Sequence, residues 1–151
     1  MNKKDILKGA WISALINALI NGVVNWFMVR GDSEILLTQD LISANTTTIF
    51  SGIVTLATSL AFILTTVSYF TLKLPGKPPY FPKVLMLSLR NTFMAFGMIV
   101  AVAILVQKYA SDVVATPIAS AILAGIVAGI VAGVVDYITK VEIVERTVCK
   151  K

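Results

Sequence analysis

Histidine is absent from this sequence, and cysteine occurs once, at Cys149. Those scarcities exclude an intrachain disulfide, the usual imidazole or thiolate metal centre, and Ser-His or Cys-His nucleophilic machinery. No metal site, cofactor or catalytic group is expected, and the chain does not read as an enzyme. Charge is scarce as well. Asp, Glu, Lys and Arg make up 14% of the 151 residues, against 57% hydrophobic residues, a balance outside the range of soluble domains. Proline is confined, with four of the five falling between Pro75 and Pro82.

What is present is a set of long charge-free stretches. They run over 9–29, 41–72, 91–107 and 113–135, or 21, 32, 17 and 23 residues, against the roughly 17 to 25 apolar residues that cross a hydrocarbon core. The second begins with polar LISANTTT, so its apolar part starts near Ile49. The expected fold is an all-α integral membrane protein, a single domain over 1–151, with transmembrane helices near 9–29, 49–71, 91–108 and 114–138. The first span is expected to be retained: its apolar stretch exceeds the 7 to 15 residues of a signal-peptide core and no small-residue cleavage motif follows.

Lysine and arginine are strongly sided. Lys3, Lys4 and Lys8 precede the first span, Lys73, Lys77, Lys83 and Arg90 lie between the second and third, and Lys140, Arg146, Lys150 and Lys151 follow the fourth. Only Arg30 and Lys108 lie on the other side, beside Asp32, Glu34, Asp40 and Asp112. The positive-inside rule then places both termini and the 72–83 loop in the cytoplasm, in a bacterial-type inner membrane. The formal charge of +5 is explained by lipid headgroups, not nucleic acid, because the basic residues flank spans and form no stripe on a soluble face.

The connections are ordinary loop chemistry. Gly31 is expected to cap the first helix in a left-handed conformation, and Trp11, Trp26 and Phe27 to mark the membrane interfaces. The adhesion-like string RGDS at Arg30–Ser33 reads as a turn. The sequon Asn45-Thr46-Thr47 reads as chance. In LKLPGKPPYFPK (72–83) the prolines make a stiff Pro-rich connection, with Tyr80 and Phe81 at headgroup level.

Two rows at four-residue spacing are unusual. In the first helix, Ser13, Asn17, Asn21 and Asn25 repeat through an apolar segment. At 1.5 Å per residue, Asn17 and Asn21 fall about 3 Å from the bilayer midplane. An amide facing hydrocarbon there costs several kcal/mol, so these side chains must face protein or a wet cavity. In the fourth helix, Ala121, Gly125, Gly129 and Gly133 form a row of small residues that admits another backbone. This AGIVAGIVAGVVD stretch resembles the glycine zippers of membrane oligomers, channel and rotor subunits among them; the resemblance implies close helix packing and nothing about chemistry. Both rows are i±4 ridges, which links the first helix to the fourth, within one chain or between copies.

Candidate polar-interior or solute-binding residues are therefore Ser13, Asn17, Asn21, Asn25, Ser51, Thr55 and Asp136. Asp136 is expected at the cytoplasmic lip, paired with Lys140 one turn on. The expected partners are the lipid bilayer, further copies of the chain in a homo-oligomer, and a second membrane protein. The expected function is a channel- or transporter-like polar, uncharged path for a small solute or ion. The alternative is a non-transporting accessory or scaffold subunit whose asparagines are interhelical glue.

Overall fold

The computed structural model describes residues 3–38, 48–110 and 113–148. Four helices account for most of them: α1 (Lys3–Val29), α2 (Ile49–Thr71), α3 (Leu85–Ala110) and α4 (Pro117–Val148). All four are long and apolar enough to cross a membrane, so the architecture is an all-α bundle of the membrane-protein kind. The sequon and Asp40, Asp112, Cys149, Lys150 and Lys151 lie outside the described residues.

Three helices outrun their apolar stretches. α1 begins at Lys3, α3 at Leu85 and α4 ends at Val148, because charged residues at a helix end can be solvated or paired there without breaking the backbone ladder. Residues 85–90 are thus the lower end of α3. Thr48 starts α2 through a reciprocal cap: Ser51 N donates to Thr48 Oγ1 at 3.2 Å and Thr48 N donates to Ser51 Oγ at 3.1 Å. Gly31 does not cap α1 in a left-handed conformation. The positive-φ residue among those described is Gly76, at 76°, and α1 ends instead with Asp32 N donating to Val29 O at 3.0 Å.

The 72–83 loop is pinned, which prolines alone would not achieve. Pro75-Gly76 supplies the proline and the positive φ of a type II turn. Lys77 Nζ donates to the carbonyls of Tyr69 in α2 (3.0 Å) and of Leu72, the residue that caps it (3.3 Å), satisfying groups the helix end leaves open. Tyr69 Oη donates to Pro78 O at 2.8 Å. Tyr80 folds back onto Tyr69 and Phe70, with ring centroids 5.5 Å from each, while Phe81 stays 72% exposed. An irregular turn over Tyr80–Val84 then leads into α3.

At the opposite end a feature outside the all-α expectation appears. Strand β1 (Ile35–Leu36) pairs antiparallel with β2 (Val114–Ala115), Ile35 facing Ala115 and Leu36 facing Val114. This short ladder ties the α1–α2 loop to the α3–α4 loop. Arg30 sits over the rings of Trp26 (5.8 Å) and Phe27 (5.0 Å) beside it.

α4 is the hub. Its Ala128, Ala132 and Val135 join Leu60, Ala61 and Leu64 of α2 and Ala95 of α3 in one buried cluster. A second cluster at the lysine-rich end joins Tyr69, Leu72, Val84, Leu87 and Ile143. α1 packs along a different face of α4, and α3 reaches the bundle chiefly through α2. The helices are thus ordered α1, α4, α2, α3.

Candidate functional site

The α1–α4 seam is built from two small-residue rows. A Cβ placed on Gly125 would lie 2.8 Å from Ala18 O and 3.4 Å from Gly22 Cα. On Gly129 it would lie 3.0 Å from Ala18 Cβ and 3.1 Å from Ala14 O, and on Gly133 3.1 Å from Ala14 Cβ. The contacts walk from Gly22 to Ala10 as α4 advances from Ala121 to Gly133, so the helices are antiparallel and meet within one chain. At such distances backbone atoms gain dispersion and weak Cα–H···O contacts that lipid tails do not match.

The row of α1 that meets the glycines is Ala10, Ala14, Ala18 and Gly22, not the asparagine row. It too is spaced by four and legible in the sequence, and it lies one residue, or 100°, round the helix from the more conspicuous amides. Ser13, Asn17, Asn21 and Asn25 occupy the adjoining flank and are half-buried. Asn17 Nδ2 donates to Ser13 O and Asn21 Nδ2 to Asn17 O, each at 2.9 Å. Asn25 reaches another helix: Ser120 Oγ donates to its Oδ1 at 3.1 Å. Ser120 heads the α4 row that continues through Ala124, Ala128 and Ala132, so the amides flank the side of α4 turned toward α2.

Ser51 and Thr55 do not join this row. Ser51 is occupied in the α2 cap, and its hydroxyl also donates to Thr48 O at 2.8 Å. Thr55 is exposed and donates to Ser51 O at 3.1 Å. A hydroxyl on a helix has an acceptor within reach in the carbonyl one turn back, and Thr58, Thr65, Thr66 and Thr71 use theirs in the same way. Thr66 also reaches Tyr80 Oη at 3.0 Å, and Thr65 and Ser68 bond to other helices as described below; for the rest, abundance in α2 carries no interhelical meaning.

Asp136 is enclosed within the bundle, 3% exposed. Its Oδ2 accepts from Lys140 Nζ at 2.7 Å and its Oδ1 from Ser68 Oγ. Gly9 of α1 lies over the ammonium, a Cβ there being 3.4 Å from Lys140 Nζ. One turn away, Asn91 Nδ2 donates to both Thr65 Oγ1 (3.1 Å) and Thr139 Oγ1 (3.2 Å). Thr65, Ser68, Asn91 and Thr139 are each at most 4% exposed. The pairs Thr65/Ser68 on α2 and Asp136/Thr139 on α4 share an i, i+3 spacing, and Asn91 of α3 closes the set. That matched spacing is present in the sequence, at the edges of the charge-free stretches and away from their centres.

Three grooves on the bundle are apolar. Two, of about 660 and 540 Å³, follow the α1–α4 seam past Leu15, Ala18 and Ile126 or Ile130; a third, of about 390 Å³, runs between α3 and α4 past Met94 and Met98. None of Ser13, Asn17, Asn21 or Asn25 lines these three. No protein-family model, curated protein or solved structure matches the chain.

Proposed function

We propose that this chain is a non-transporting accessory or scaffold subunit of a membrane assembly, which recognises a further transmembrane helix through α1. One observation carries the reading. Thr38 aside, the buried polar side chains among the described residues close on the chain itself, Asp136 on Ser68 and Lys140, Asn91 on Thr65 and Thr139, which supports interhelical ties over a row of open donors and acceptors. α1 supports the association: it is held along one narrow seam, its most apolar stretch is unburied, and Asn17 and Asn21 are only half-covered. Half-covered amides near a bilayer midplane favour any arrangement that takes them out of hydrocarbon. A second copy is the simplest such cover.

The same half-exposure favours the second reading, in which several copies turn their asparagines toward a shared polar path. The two readings separate in one experiment. The native chain and Asn17→Leu/Asn21→Leu are extracted in mild detergent for particle mass and reconstituted in vesicles for solute permeability. The scaffold reading predicts a particle larger than one chain that falls toward the monomer in the variant, with vesicles equally tight for both. Permeability of the native chain to small solutes, abolished by the substitutions, contradicts it.

A further inference from the structure

We infer that the lysine-rich end of the bundle carries a binding cleft for the phosphate of an anionic phospholipid. The cleft, of about 470 Å³, opens between the start of α3 and the end of α4 and is lined by Pro82, Lys83, Met86, Leu87, Arg90 and Arg146. Three cations line it against one carboxylate. Glu142 accepts from both guanidiniums, from Arg90 Nη1 (3.3 Å) and Nη2 and from Arg146 Nη2. These bonds hold two arginines from different helices side by side and use only part of their ten N–H groups. Both arginines remain open to solvent, with side chains 49% and 41% exposed, while Glu142 is 20% exposed. Glu142 thus orients the pair without neutralising the site, which keeps two positive charges in excess. Guanidiniums so arranged match the oxygens of a phosphodiester.

The apolar rim selects a lipid over a free anion. Met86 is 64% exposed on the cleft wall, and Phe81, beside Pro82, is 72% exposed. Arg90 immediately precedes the charge-free stretch of α3, so an occupant with its phosphate on the arginines has its acyl chains beside the apolar part of the bundle. Basic clefts between transmembrane helices at this level suit anionic headgroups. This inference is independent of the role of α1.

The test uses the full chain in detergent, stripped of lipid and titrated with phosphatidylglycerol, phosphatidylcholine or inorganic phosphate, with bound lipid counted by native mass spectrometry and thermal midpoints measured in parallel. Phosphatidylglycerol is expected to bind and raise the midpoint, phosphatidylcholine and inorganic phosphate to do neither. Lys83→Gln, which leaves the Glu142 bonds in place, is expected to weaken phosphatidylglycerol binding about fivefold; Lys73→Gln, outside the cleft, is expected to change it less than twofold. Equal binding of the two lipids, reproduction of the effect by inorganic phosphate, or equal losses in the two lysine variants overturns the site.

Discussion

Gly125 is where one added methyl group has least room. The atom it would meet, Ala18 O at 2.8 Å, is backbone and cannot rotate away. Gly97, in the middle of α3, has nothing within 4 Å of an added Cβ. Both glycines are helical, and replacing either by alanine removes the helix-propensity penalty of roughly 0.5–1 kcal/mol. At Gly97 that gain stands alone. At Gly125 it is opposed by separation of two helices along three turns, and overpacking of this kind costs about 1–3 kcal/mol. Thermal midpoints in detergent are therefore expected to rise or hold for Gly97→Ala and to fall for Gly125→Ala. The sequence sets Gly125 apart as one of a row of small residues four apart; that the backbone it meets is Ala18 of the same chain is given by the position of α1.

Among the elements, α4 carries the most. Its alanine row serves α2, its glycine row serves α1, and its last three turns hold the pairs with Ser68, Asn91 and Arg90. Lys140 is the sensitive point because Asp136 is 3% exposed. Removing one member of a buried ion pair strands the other, at about 3–5 kcal/mol, whereas replacing both by apolar residues is often near neutral. Lys140→Met is accordingly expected to lower the unfolding midpoint sharply, and Asp136→Leu/Lys140→Met to recover most of that loss. A double variant no better than the single one would show that the carboxylate is not stranded by loss of Lys140. The four helices and their apolar centres were legible from charge spacing. The extension of α4 to Val148 was not, because Lys140, Glu142 and Arg146 read as the end of a span until their pairing within the helix and with α3 is known. The β1–β2 ladder was hidden for a similar reason: two-residue strands have no periodicity to detect.

For the whole molecule, the order α1, α4, α2, α3 leaves α1 as the outermost helix on one side, bound along a single seam. Reading α1 as a span puts the asparagines near the midplane, an expectation that rests on helix geometry alone. It does not say what they touch. A chain of i−4 bonds takes up one N–H of each of Asn17 and Asn21 within α1, an outcome open to any asparagine on a helix and invisible in residue spacing. The site's other half, the Asp136 and Asn91 ties, depends on three helices meeting at one level, which no single segment encodes.

The central claim is that the bundle is dry: Asp136 and Asn91 tie helices together, and Asn17 and Asn21 turn toward a neighbouring helix, not a water-filled path. It is tested most directly by cysteine reactivity in membranes, with Cys149→Ser as background and Asn17→Cys, Asn21→Cys or Lys3→Cys introduced singly. Exposed to a membrane-impermeant thiol reagent from either side in turn, Lys3→Cys is expected to react from one side, and the two midplane cysteines from neither. Labelling of Asn17→Cys or Asn21→Cys at a rate near that of Lys3→Cys would mean that water reaches the middle of α1, and would contradict the account.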